Sequence, residues 1–213
     1  MGIAERKERE KQQRKNDILD AAEKVFFSKG VKEATMDDIA EAAELSKGTL
    51  YLYFKSKEDI HLGINARALG LLRKMFEEAL GRGANGLEKT REIGRAYFEF
   101  SQTYPDYFDA IVYFEGQDLD LTDDESMASW CHSMGVEVLK VVARAIEMGI
   151  EDGTIRPDLD PMKTAVLLWG QTDGVIRIAA RKCKHLSEFG DLAPEALVNA
   201  FFEFAACAMR RQE

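Results

Sequence analysis

Residues 35–57, TMDDIAEAAELSKGTLYLYFKSK, place hydroxyl, cationic and aromatic side chains at spacings that helices bring together. Thr35 stands three residues before Asp38, and Ser56 three before Asp59. That is the capping-box pattern, in which side-chain oxygens satisfy the unpaired N–H groups of a helix start. Ser46 is a third N-cap candidate, three residues before Thr49 and with no acid to close the box. Between the caps, Ile39, Ala40 and Ala43 form one apolar face, and Leu50, Tyr53 and Phe54 form another. The face left over on the second helix is Lys47, Gly48, Thr49 and Tyr51: small, polar or cationic, and free of carboxylates. Such a face can lie in a major groove and meet phosphates without charge repulsion. A helix this short does not hold itself together in water, so its neighbours must position it.

The stretch resembles the helix-turn-helix of the TetR family of bacterial repressors, whose core reads T-x-x-x-I-A-x-x-A-G-x-S-K-G-T-L-Y-x-Y-F-x-S-K-E. Thr35, Ile39, Ala40, Ala43, Ser46 through Tyr51, Tyr53, Phe54, Ser56, Lys57 and Glu58 fit it. The resemblance covers roughly residues 14–74 and is one of architecture beyond them. Glu44 departs, standing where the family has Gly in the turn. A non-Gly residue there takes the left-handed region at a cost of about 1 kcal/mol, or the turn is reshaped, and its carboxylate would weaken affinity for DNA. The resemblance implies DNA binding by Thr35, Ser46, Lys47, Gly48, Thr49, Tyr51, Tyr53 and Lys57. Lys47 and Thr49 would face base edges, Tyr51, Tyr53 and Lys57 would hold phosphates, and Thr35 would add a backbone contact. Leu50 and Phe54 would anchor the recognition helix through Val25 and Phe26.

The remaining pattern must carry this head. Ile18, Ala22, Val25 and Phe26 follow the i, i+4, i+7, i+8 rule of one helix face, which Gly30 ends. A long helix is expected from Ser56 to about Leu80, then helices near 87–104, 106–114, 125–151, 161–183 and 194–210. An acidic loop is expected at 115–124, and an extended two-proline link at 156–161. No stretch alternates at period two for long enough to argue a strand. The expected fold is all-α, about nine helices. A basic N-terminal extension (1–13) precedes a three-helix helix-turn-helix head (14–60, reaching about 74 through the connecting helix). A helical ligand-binding and dimerisation domain (61–213) follows.

Charge distribution is compatible with DNA binding despite a net charge of −9. Residues 1–60 hold 12 Lys and Arg against 13 Asp and Glu, while residues 61–213 hold 17 against 25. The first fifteen residues hold 6 basic and 3 acidic side chains, a weak phosphate clamp or a solvated, partly frayed extension. Nucleic-acid affinity depends on local phosphate neutralisation rather than on whole-chain charge. No apolar run approaches the ~18–20 residues that span a bilayer, and the charged N-terminus lacks the apolar core of a signal peptide. Cys131, Cys183 and Cys207 are scattered and odd in number, which fits buried thiols in a reducing cytoplasm.

The last two helices carry more apolar surface than one internal face needs. Trp169, Gly170, Gly174 and Arg177, with Leu197, Phe201, Phe204 and Ala205, are therefore the expected homodimer interface. A two-fold dimer also suits the two half-sites of a palindromic double-stranded operator. Eight aromatics fall between Tyr97 and Phe114, and Met127, Trp130 and Met134 follow at spacings of three and four. Aromatic and thioether side chains suit a small hydrophobic effector; the expected contacts are Phe98, Tyr104, Phe108, Met127, Trp130, Met134, Gln171 and Asp173. The alternatives are ordinary core packing, a regulator with no small-molecule ligand, and an all-α enzyme. For the last, the chain shows no phosphate loop, nucleophile elbow or paired acid and base. His61, His132 and His185 are too dispersed for a metal site, so neither metal nor cofactor is expected.

Overall fold

The protein is described by a computed structural model that covers residues 2–115, 121–123, 126–186 and 193–211, the side chains of 3, 115 and 181–186 excepted. Among these residues there are nine helices: α1 (Ile3–Lys29), α2 (Met36–Ala42), α3 (Lys47–Tyr51), α4 (Lys57–Leu80), α5 (Gly86–Thr103), α6 (Pro105–Glu115), α7 (Met127–Glu151), α8 (Pro161–Leu186) and α9 (Pro194–Met209). No strand occurs among them, and Ile155 and Arg210 form an isolated bridge. Most of the acidic loop expected at 115–124 lies outside the described residues, as do the side chains of Cys183 and His185. The helices group into two compact units, residues 1–68 with 109–132, and residues 69–108 with 133–213. Residues 61–68 and the described residues of 109–132 thus group with the helices that precede the expected boundary at residue 60.

In the first unit, Ile18, Leu19, Ala22, Val25 and Phe26 of α1 are buried together with Ile39, Leu50, Phe54, Ile60 and Ile64. Gly30 ends α1 at φ 79°, its N–H donating to Phe26 O at 2.8 Å. α1 runs without a break through residue 13, so the basic extension is helical rather than frayed. Local pairs support it where no core does: Glu5 accepts from Gly2 N–H at 2.9 Å, Arg6 pairs with Glu10 at 2.7 Å, and Gln13 donates to Asp17 at 2.8 Å.

In the second unit, the start of α5 meets the end of α7 backbone to backbone. A methyl group on Gly86 would lie 2.0 Å from the Gly149 nitrogen, so only glycine permits the approach. Asp152 accepts from Gly86 N–H at 2.7 Å across the same contact. Ile155, Ile176, Val198, Phe100 and Ile146 are among the fully buried side chains. The link at 156–161 makes a turn at Pro157-Asp158 and a bend at Leu159 rather than running extended. Arg156 grips Asp158 through two 2.8 Å bonds and donates its N–H to Met209 O at 3.0 Å.

Candidate nucleic-acid interface and effector domain

α2, α3 and α4 each begin on the hydroxyl cap that the sequence offers. Thr35 Oγ1 accepts from Asp38 N–H at 3.1 Å, while Thr35 donates its own N–H and hydroxyl to Asp38 Oδ2 at 2.9 and 2.8 Å. Lys29 also donates to Asp38 at 2.6 Å, and these bonds hold the Asp38 carboxyl down to about 2, Lys29 contributing most. Ser46 Oγ accepts from Thr49 N–H at 3.1 Å and shares a 2.8 Å bond with the Thr49 hydroxyl. Ser56 Oγ accepts from Asp59 N–H at 3.1 Å, but the Asp59 carboxylate reaches back one residue further than a capping box, to Lys55 N–H at 3.0 Å.

The turn between α2 and α3 closes as a Schellman motif with Glu44 in the glycine position. Its φ is 54°, Glu44 N–H donates to Glu41 O at 3.0 Å, and Leu45 N–H donates to Ala40 O at 2.9 Å. The left-handed conformation expected of Glu44 is therefore what the chain adopts, and the turn keeps its shape.

With Leu50 and Phe54 buried, α3 turns Lys47, Gly48 and Tyr51 outward; Thr49 and Tyr53 are half-buried at the margins. Lys47 Nζ donates to Asp37 Oδ2 at 2.9 Å, an exposed pair that raises the lysine pKa. Two of the residues expected to contact DNA have partners within the chain. Lys57 Nζ donates to the carbonyls of Val31, Lys32 and Ala34 at 2.7, 3.2 and 2.9 Å. All three donors are directed at the α1–α2 turn, which the ammonium clamps. Thr35 likewise gives its N–H to Asp38 and acts as the α2 cap. Two residues on this face were missed: Asp37, which holds Lys47, and Leu52, which is 79% exposed. Leu52 was detectable, because it stands one helical turn after Gly48.

Behind α3, the first turns of α4 carry buried polar groups. His61 lies against the rings of Phe26, Tyr113 and Phe114 at centroid distances of 5.5, 5.1 and 4.7 Å, and burial lowers its pKa to about 4. Asn65 Nδ2 donates to Cys131 Sγ at 3.0 Å, and burial raises that thiol to about 11. Arg67 binds Asp20 at 2.7 Å, Glu23 at 3.0 Å and Asn16 O at 3.0 Å, fixing α4 to α1. Cys131 is a buried thiol as expected, whereas Cys207 is exposed.

The residues expected around an effector fall in both units. Trp130 is half exposed, because the buried line of α7 runs through Ala128, Cys131, Val138 and Val142, one residue off the Met127–Trp130–Met134 line. Gln171 is exposed on α8. Phe98 packs on the cluster of Ala179, Val198 and Phe202. Phe108 is buried, with its ring 5.7 Å from Tyr97. Met127 and Met134 are half-buried. Asp173 is buried; it pairs with Arg177 at 2.8 Å through Oδ2, has no partner for Oδ1, and burial raises its pKa. Tyr104 lines a cleft of about 260 Å³ between α4 and α5, floored by Leu71, Met75 and Ala96 and rimmed by Lys74, Glu78, Arg82, Glu99 and Thr103. None of the other expected effector residues lines this cleft.

On α8 and α9, Trp169, Gly170, Gly174 and Arg177 reach or approach the surface, with Leu167 and Phe204 more than 60% exposed and Val166 and Ile178 beside them. A methyl group at Gly170 or Gly174 would touch nothing in the chain. Leu197 and Phe201 are half-buried against the α8–α9 core, and Ala205 is buried inside it, which removes Ala205 from the outward face.

Among the described residues, no group of three His, Cys, Asp or Glu side chains could hold a metal ion, and no helix is long and apolar enough to cross a membrane. Residues 18–64, which include the capped helices and the Schellman turn, match the family model of bacterial regulatory proteins, tetR family. Over 155 residues the chain is 30% identical to the uncharacterized HTH-type transcriptional regulator YhgD of Bacillus subtilis, covering 73% of this chain and 78% of that protein. It is 28% identical over 147 residues to the HTH-type transcriptional repressor KstR2 of Mycolicibacterium smegmatis, covering 69% and 70%. The crystal structure of the Bacillus subtilis transcriptional regulator FadR in complex with stearoyl-CoA has the same fold, with a TM-score of 0.66, 24% identity, and coverage of 91% and 98%. The capped, carboxylate-free α3 and its turn are thus the helix-turn-helix of a transcriptional regulator, and the chain belongs to the TetR family.

Proposed function

We propose that the protein is a dimeric transcriptional repressor of the cytoplasm that binds a palindromic operator through α3 and releases it when a small hydrophobic effector binds. The observation that carries this reading is the outward face of α3, where Lys47, Gly48 and Tyr51 stand on a helix that has no carboxylate of its own and whose other side is buried. Lys47 and Thr49 meet base edges, and Tyr51 and Tyr53 meet phosphates; Ser46 holds the start of the helix. The exposed apolar strip of α8 and α9 supports a two-fold dimer, which places two α3 helices on half-sites one turn of DNA apart. α4 connects the helices of the head with those that bind effector, so an effector that fits one position of α4 changes the spacing of the heads. A coupling of about 1–3 kcal/mol suffices for release.

The relative solved with stearoyl-CoA supports coenzyme A thioesters of fatty acids as the first effector class to test. Fluorescence anisotropy of a labelled duplex selected by the protein tests the reading. The wild type binds it in preference to random duplex, Tyr51→Ala weakens binding to both, and stearoyl-CoA releases the wild type. Equal affinity of wild type and Tyr51→Ala for both duplexes would show that α3 is not the docking face.

A further inference from the structure

We propose that Leu52 reads the 5-methyl group of thymine in the major groove and so sets the base preference of this chain at one position of each half-site. The inference rests on the DNA-binding reading above and adds the chemistry of discrimination to it.

An exposed leucine alone says little, since folded proteins expose many. Its place on this helix is the informative part. Leu52 follows α3 directly and keeps helical backbone angles, φ −71° and ψ −21°. At 3.6 residues per turn it stands in line with Gly48, on the side of the helix opposite the buried Leu50 and Phe54. It is 79% exposed, the most exposed of the large apolar side chains described.

Gly48 on the same line has no reason internal to the chain. Its φ is not positive, and a methyl group there would meet only Ser46 Oγ, at 3.9 Å. Alanine would fit and would favour the helix. A glycine that neither backbone conformation nor packing requires marks a place where something from outside approaches the backbone closely. One turn on, that same outside surface meets an isobutyl group with no donor or acceptor. Of the groups at the major-groove edges of the four base pairs, only the thymine methyl is matched by such a side chain. The flanking Thr49 and Tyr51 hydroxyls and the Lys47 ammonium belong with phosphates and polar base edges. Leu52 is the apolar element of the line, and a contact of this kind discriminates by shape and desolvation rather than by hydrogen bonding.

The experiment begins with the duplex that wild-type protein selects from a random pool. Each thymine is replaced singly by uracil, which removes the methyl group alone, and the dissociation constants of wild type, Leu52→Ala and Leu52→Met are measured by anisotropy. One thymine per half-site is expected at which uracil weakens the wild type about fourfold, the factor that burial of one such group provides. Leu52→Ala should be weakened at least as much on the parent duplex, be indifferent to uracil at that position, and keep wild-type affinity for random duplex. Leu52→Met, which keeps an apolar reach of similar length, should retain the methyl dependence. Unchanged thermal unfolding of the variants shows that the fold is intact. The proposal is overturned if Leu52→Ala binds the parent duplex as the wild type does, or if every uracil costs both proteins the same factor. An equal loss on random duplex would also overturn it, by assigning Leu52 to the sugar–phosphate backbone. Failure of the wild type to select any sequence refutes the DNA-binding reading itself, and this inference with it.

Discussion

Acidification should loosen the helix-turn-helix unit through one side chain. His61 lies one turn into α4 among the rings of Phe26, Tyr113 and Phe114. Burial lowers its pKa from 6.5 to about 4, with Glu58 opposing that shift and Lys57 reinforcing it. The folded protein therefore declines a proton that the unfolded chain accepts. Because the folded pKa is the lower one, the unfolded state binds more protons between the two values. Stability is fully present above pH 6.5 and is lost as pH falls toward 4. At 1.36 kcal/mol per pH unit, the complete effect is about 3 kcal/mol, of which about 2 kcal/mol is gone by pH 5. Urea unfolding at fixed protein concentration, at several pH values between 8 and about 4, measures it against His61→Phe. Phenylalanine suits the aromatic surroundings and does not titrate, while every carboxylate titrates in both proteins, so the difference between the two curves isolates His61. Parallel loss of stability in wild type and variant would refute the reasoning.

Three further perturbations follow from the geometry. Asp37→Asn frees Lys47 from its 2.9 Å partner and should raise affinity for the selected duplex about threefold per chain, the worth of one exposed ion pair; duplex titrations read it, and an unchanged affinity contradicts the prediction. Lys57→Met removes three bonds to the α1–α2 turn and should cost about 2 kcal/mol of stability in urea unfolding. A stable variant with a shallower salt slope would return Lys57 to the phosphates. Phe204→Glu puts a charge on the exposed strip of α9 and should give helical monomers in sedimentation equilibrium, with specific DNA binding lost; a wild type that is already monomeric at micromolar concentration contradicts the assignment.

Much of the fold was legible because its signals are local. Thr35, Ser46 and Ser56 are read by N–H groups three residues away, Gly30 ends the helix whose stripe precedes it, and Glu44 declares itself by standing in a glycine position. Side-chain destinations were less legible, since they depend on partners distant in sequence. Lys57 meets carbonyls 23 to 26 residues away, which no local pattern encodes. Trp130 shares a line with two methionines, but the buried line of α7 is displaced by one residue, and a shift of about 100° separates core from surface. An excess of apolar residues on α8 and α9 did not say which of them are used internally. Ala205 is, and Phe204 is not. The packing of Tyr113, Phe114 and Cys131 against His61 and Asn65 was illegible for the same reason.

Selection of bound duplexes from a random-sequence library, followed by sequencing and by the stoichiometry of the complex, tests the central claim most directly. A dimer that reads DNA through two α3 helices predicts an enriched palindrome whose half-site centres lie about 10 base pairs apart, bound by protein chains in multiples of two. Enrichment lost in Tyr51→Ala would tie the palindrome to this face. No enrichment, or a single asymmetric site bound by one chain, would contradict the account.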